Sequence, residues 1–220
     1  RNGQLLGVAQ NRSDGRYEFA DVPLQFGSNR FEIILYGPQA QVRREIETNV
    51  IGYFHGGRVA LQQFRKQGRG ILINVDSVNG AAPQPYSSIY VASKFAIRGW
   101  SAALRMELSV AGERDIHVWN VMPAAIDTPI YQHAANYTGR KARALDPTNS
   151  AEKVARAIVN LSERPRAEII VGRGGRLMVA HRTLTPRVYE RTMARYIDRD
   201  HFSEGTAADS EGNLFESIGP

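Results

Sequence analysis

The stretch Ser77-Val-Asn-Gly-Ala-Ala-Pro-Gln-Pro-Tyr-Ser-Ser-Ile-Tyr90-Val-Ala-Ser-Lys94 decides how the chain is read. A tyrosine and a lysine four residues apart share one face of a helix, because an α-helix brings i and i+4 side chains together. The serine stands thirteen residues before the tyrosine. It follows Ile71-Leu-Ile-Asn-Val75, an apolar run short enough for a strand buried on both faces. That order can bring a hydroxyl, a phenol and an ammonium to one point. Taken alone, Tyr-x-x-x-Lys arises by chance in many helices as an ordinary amphipathic surface pair. A lone serine after a strand is commonly a turn residue, and a lone asparagine before a helix a cap.

Helices and buried strands alternate on both sides of this stretch. Asn49 to Gln67 carries Ile51, Phe54, Val59, Leu61 and Phe64 at roughly helical spacing, and Gly68-Arg-Gly70 ends it. The helix holding Tyr90 and Lys94 follows Pro85 and continues through Phe95, Ile97, Trp100, Leu104 and Leu108. Ile116-His-Val-Trp-Asn-Val121 reads as the next strand, stopped by Pro123. Ser150 is a good N-cap for a helix with Glu152 in its first turn and Val154, Ile158 and Leu161 on one face. Glu168 to Val171 makes a third strand, closed by Gly172 and Gly174-Gly175. Leu177 to Leu184 is helical, and Pro186 opens a last helix over Val188 to Ile197. This order implies right-handed crossovers and a parallel sheet. The predicted class is α/β, with residues 44–200 forming the second half of a Rossmann-like doubly wound fold. The polar residues from about 201 onward read as a poorly ordered tail.

Residues 1–43 follow a different pattern. Arg16-Tyr-Glu-Phe-Ala-Asp-Val-Pro-Leu24 and Arg30-Phe-Glu-Ile-Ile-Leu-Tyr36 alternate apolar and polar residues between turn signals, which predicts short antiparallel strands. The segment resembles part of a β-sandwich module.

Composition excludes several function classes. The absence of cysteine removes disulfides, thiolate zinc sites and thiol nucleophiles, and is compatible with a reducing cytoplasm, the expected location. The five histidines show no metal-ligand spacing. No apolar run is long enough to span a membrane. The net charge of +6 comes from basic residues scattered over separate elements, which argues for a solvated surface and against a nucleic-acid face.

With Asn49 twenty-eight residues before Ser77, and Gly52 beside it, the constellation resembles the active site of the short-chain dehydrogenase/reductase family. The resemblance covers about residues 43–220. It implies an oxidoreductase that moves a hydride between NAD or NADP and a small-molecule carbonyl or alcohol. Tyr90 is then the general acid or base, and Ser77 the hydrogen-bond donor to the substrate oxygen. Lys94 depresses the phenol's pKa and holds the nicotinamide ribose, while Asn49 holds a water in a proton relay. Bringing a phenol from pKa ~10 toward neutrality takes about 4 kcal/mol. An ammonium ~4 Å away supplies about that much at an effective dielectric near 20.

A second motif, Pro123-Ala-Ala-Ile-Asp-Thr128, resembles the turn that wraps the nicotinamide carboxamide, with Pro123, Ile126 and Thr128 as implied cofactor contacts. Ala124 stands where the family has glycine. Ile130 to Tyr137 falls where the family places a mobile substrate lid. Asp76 replaces the serine that commonly precedes the catalytic one, and its charge would work against Lys94.

The family's glycine-rich phosphate-binding turn has no match in residues 1–44, so the sequence reads as the family's back half joined to an unrelated β-rich segment. NAD and NADP are not distinguished. Strand Ile71–Val75 then has an exposed edge, for which the N-terminal segment or a second chain is the expected cover. A homodimer or tetramer through helices 49–67 and 90–108 is implied by the family. The competing reading is a catalytically silent fragment or fusion that acts as an interaction module.

Overall fold

A computed structural model describes residues 45–212. The antiparallel segment expected over residues 1–43, and any cover it provides for the edge of Ile71–Val75, lie outside the described residues.

A π-helical turn, Glu47–Ile51, leads directly into α1 (Gly52–Gln67). Gly68, at φ 76°, ends that helix in the left-handed region, where a side chain would be strained. Strand β1 (Gly70–Val75) follows, then a 3-10 turn over Val78–Gly80 and the long helix α2 (Ser88–Val110). Strand β2 (Ile116–Pro123) comes next, then the single turn α3 (Ile130–His133) and the short strand β3 (Arg140–Ala142). Helix α4 (Ala151–Glu163) is capped by the Ser150 hydroxyl, which accepts from the Lys153 N–H. The chain closes with β4 (Glu168–Val171), α5 (Arg173–Leu184), α6 (Pro186–Asp200) and β5 (Phe202–Thr206).

The order β1-β2-β4 is parallel throughout, with Asn74 opposite Asn120 and Asn120 opposite Glu168. Alternation along β2 explains why this strand reads as a continuous apolar run. Ile116 and Val118 pack with Leu61, Phe64, Leu72, Leu104 and Leu108 under α1 and α2. Trp119 and Val121 face the other way, onto Val154, Ile158 and Leu161 of α4. Both faces of the sheet are thus covered by helices, as in a doubly wound fold. Helices α5 and α6 add a third cluster, in which Tyr189, Met193 and Ile197 close over Val78 of the 3-10 turn and Ala82 just after it. Gly57 lets α1 approach α2, since a Cβ there would lie 2.3 Å from the Trp100 ring.

Three boundaries differ from the sequence expectation. Helix α5 starts at Arg173 and includes Gly174 and Gly175, because Gly175 lies where a side chain would crowd Ala124, Ile170 and Val78. Residues 202–206, expected in a poorly ordered tail, form β5 and pair antiparallel with β3. The anchor is Phe202, buried under the Arg140 guanidinium, which stacks 3.9 Å above its ring. The Asn49 helix opens with a π-helical turn in place of a regular first turn.

Ile71 and Val75 remain 40% exposed on the α4 side of β1, which among the described residues has a neighbour on one edge only. Val59 on α1, and Phe95, Met106 and Val110 on α2, are also exposed. Among the described residues no helix is long and apolar enough to cross a membrane.

Candidate active site

The carboxyl end of β1 builds the site. Backbone pairing persists one residue past the strand, where the Asp76 N–H donates to the Val121 carbonyl. The chain then turns at Ser77, whose backbone is extended and whose Oγ accepts from the Asn79 N–H at 3.1 Å. Ser77 therefore caps the 3-10 turn, the modest role its position suggests. Its hydroxyl also contacts the Tyr90 phenol and favours the ionised form of that phenol.

Tyr90 lies in the first turn of α2 and Lys94 one turn further on. The Lys94 ammonium is buried, sits 5.4 Å from the Tyr90 ring centroid and 5.8 Å from that of Tyr53, and donates to the Val75 carbonyl at 3.3 Å. Tyr53 donates to the same carbonyl at 2.7 Å. Serine, tyrosine and lysine thus converge where the strands of the parallel sheet end, the edge at which open α/β sheets bind ligands.

Asn49 reaches the site indirectly. Its Nδ2 donates to Ser93 Oγ at 3.4 Å, and that hydroxyl donates to the Tyr90 carbonyl at 2.7 Å. The amide of Asn49 thereby bears on the α2 turn that joins Tyr90 to Lys94. It sits in the π-helical turn, a distortion that frequently marks functional positions.

The electrostatics differ from the expectation in one respect. Tyr90 is raised above the ordinary phenol value, first by burial and then by Asp76, Tyr131 and Glu45, with Ser77 opposing. Lys94 is not among the groups that lower it. The ammonium lies over the ring face, bonded to a backbone carbonyl and drawn by the Asp76 and Glu45 carboxylates. Burial lowers Lys94 itself, and those two carboxylates oppose the shift. Asp76 is pushed up to about 7 by burial, against Lys94, the Ser77 N–H and Arg98. Neither of its oxygens has a partner in hydrogen-bonding geometry.

The turn after β2 is strapped from across the sheet. The Asp127 N–H donates to the Asn149 carbonyl, and the Asn149 N–H returns to the Ala125 carbonyl, both at 2.9 Å. The Asn149 side chain also donates to Ala125 O at 3.2 Å and accepts from Lys153 Nζ at 2.6 Å. This strap fixes Ile126, which forms a β-bridge with Asn149, while Pro123 ends β2 and Thr128 is exposed. Asn149 is a strapping position that sequence reasoning missed, because beside the cap Ser150 it reads as part of the cap. The methyl of Ala124, where glycine was expected, faces Gly172 and Gly175, at each of which a Cβ would approach it to about 3 Å. Glycines across the interface make room for the alanine.

The expected lid segment stands beside the site. Tyr131 of α3 acts electrostatically on Tyr90 and packs edge-on against His201. Tyr86, four residues before Tyr90, holds a left-handed backbone at φ 66° and shares Asp198 with Arg140. That network ties the approach to α2 to β3 and α6.

The model of the family described as short chain dehydrogenase matches residues 27–138, starting inside the segment read from sequence as β-rich. The chain is similar to the uncharacterized oxidoreductase YxnA of Bacillus subtilis, 30% identical over 165 residues, covering 74% of this chain and 46% of that protein. It is also similar to dehydrogenase/reductase SDR family member 7B of Danio rerio, 27% identical over 188 residues, covering 81% of this chain and 59% of that one. The chain spans about half the length of these curated relatives. Among solved structures, a short chain dehydrogenase from Burkholderia cenocepacia in complex with NADP superposes with a TM-score of 0.59 at 22% identity. The superposition covers 72% of this chain and 60% of that one, and at this identity the likeness carries the fold alone.

Proposed function

Because the chain belongs to the short-chain dehydrogenase family, we propose that it forms the substrate side of a nicotinamide-dependent oxidoreductase acting on a carbonyl or secondary alcohol. The observation that carries this reading is the convergence of Ser77, Tyr90 and Lys94 at the ends of the parallel strands. The residues fit the nicotinamide end of NAD or NADP. A buried ammonium without a hydrogen-bonded carboxylate suits ribose hydroxyls, and the strapped turn from Pro123 to Thr128 offers backbone groups to a carboxamide. When bound, the cofactor supplies or accepts the hydride.

The chain's own residues handle the proton and the oxygen. In reduction Tyr90 gives its phenolic proton to the substrate oxygen, and in oxidation the phenolate takes one. Ser77 donates to the same oxygen and steadies charge as it develops there. Lys94 holds a positive charge over the phenol ring, 5.4 Å from its centroid, and Asn49, acting through Ser93, fixes the helical turn that carries both. Tyr131 and the α3 segment limit water at the site.

The test is titration of the full chain with NADH and with NADPH, read by the fluorescence of Trp100 and Trp119. A saturable change with one of them is expected. None at millimolar cofactor would end this reading and leave the silent interaction module. The exposed apolar residues Val59, Phe95, Met106 and Val110 support assembly of a dimer or tetramer through α1 and α2. Sedimentation velocity over a concentration series should give a species larger than one chain, and a monomer throughout would remove this surface from consideration.

A further inference from the structure

Asp76 has no task in the mechanism above, yet it is built into the centre of the site. It is 4% exposed, both carboxylate oxygens lack a partner, and the close approach of Gly80 is what accommodates it. A Cβ at Gly80 would lie 2.6 Å from Asp76 Oδ2 and 3.0 Å from the Lys94 carbonyl. A buried carboxylate whose nearby backbone donor, the Ser77 N–H, falls short of good hydrogen-bonding geometry is costly, and such groups are retained where the cost serves a function or a proton neutralises them.

Charged and titratable groups face it from every element packed around it. Lys94, Arg98 and Tyr90 approach from α2, Tyr53 from α1, and Glu168 from β4. Glu45, just before the π-helical turn, shares Lys94 with it. The ammonium bonds to the carbonyl of Val75, the residue next to Asp76, and not to the phenol.

We propose that Asp76 is a positioning residue for the Tyr90–Lys94 pair: its carboxylate draws the ammonium toward the end of β1, and its neutral form releases that charge to the phenol. The inference rests on Tyr90 being the acid–base group. Its consequence is a site whose phenol is harder to ionise while Asp76 is charged, and easier once Asp76 carries a proton. The direct repulsion between carboxylate and phenolate acts in the same direction.

The test needs neither cofactor nor turnover. The ultraviolet absorbance of tyrosinate is titrated in the unaltered chain, Asp76→Asn and Asp76→Ser, with Tyr90→Phe in each background isolating the Tyr90 signal. Both substitutions should move the Tyr90 midpoint down by about one pH unit or more, the size expected of a unit charge at this range. An unchanged or raised midpoint overturns the proposal. In the unaltered chain, carbon-13 carboxyl resonances should include one aspartate that titrates near neutrality, and finding every aspartate in the ordinary acid range overturns it as well. The acid limb of alcohol oxidation should shift with the tyrosinate midpoint in both variants. A shifted midpoint in a chain with no turnover would sink the activity reading and leave the role of Asp76 standing. Turnover with no shift would do the reverse.

Discussion

Replacing Tyr90 with Phe is expected to lower turnover by about 10²–10⁴-fold, the range that a positioned acid–base group supplies. The substitution removes one oxygen and little else. The ring keeps its place in the first turn of α2, and the carbonyl of residue 90 still accepts from Ser93 Oγ. The ring face under the Lys94 ammonium is also retained. The contact with the Ser77 hydroxyl is lost, but that hydroxyl still accepts from the Asn79 N–H, so the turn it caps should persist. The measurement is the steady-state rate with a carbonyl substrate and reduced cofactor, accompanied by circular dichroism and melting temperature. An unaltered rate with the fold intact would take Tyr90 out of the mechanism.

The second large effect is on stability, through Asp76. Its carboxyl sits at about 7 in the folded chain against an ordinary value of 3.8, with burial as the leading cause. Where the pH lies below both values, each state carries the proton and folding is not penalised. Between them the folded chain keeps a proton that the unfolded chain has lost, so stability falls as pH rises. The fall ends once the pH passes the folded value and both states are ionised. From pH ~5 to ~8 this group should cost about 3 kcal/mol. Lys94 acts in the opposite sense at alkaline pH. Burial lowers it, so the unfolded chain holds a proton that the folded chain has released, and stability recovers as pH climbs toward the ordinary lysine value. Urea denaturation at several pH values should show the neutral-range decline in the unaltered chain and a much flatter profile in Asp76→Asn. Identical profiles would show that the buried carboxyl binds no extra proton.

The Asp76 effect also illustrates how far the sequence could be read. An aspartate before Ser77 is visible, and its opposition to Lys94 follows from charge alone. Its burial, the lack of a well-placed partner at either oxygen and the glycine that admits it come from the meeting of β1, the 3-10 turn, α1 and α2. Lys94 offers the same lesson. Spacing puts it beside Tyr90 on one helical face, but the Val75 carbonyl and two carboxylates, distant in sequence, decide where its ammonium points.

Elements with a local cause were legible. The positive φ of Gly68, the cap at Ser150 and the proline opening α6 ended or started helices where the residues indicate. Elements with a remote cause were not. Gly174 and Gly175 look like a strand's end and are helical, because packing against Ala124 and Val78 favours close approach over local propensity. Phe202 lies in a polar stretch and became the anchor of a strand only because Arg140 and β3 were there to receive it.

Periodicity, caps and the joint spacing of Asn49, Ser77, Tyr90 and Lys94 were thus enough to determine an α/β chain with a parallel sheet and a hydroxyl, a phenol and an ammonium near one another. Helix spacing and caps are set by backbone geometry within a few residues, which sequence records directly. The sheet follows from the order of elements, and the meeting of the three groups was read from their joint spacing and its resemblance to a known family. Tertiary structure alone decided the electrostatic surroundings of the site, the strap from Asn149 and the routing of Asn49 through Ser93. Each depends on groups brought together from separate elements, where desolvation and distance, which no local pattern encodes, set the energy.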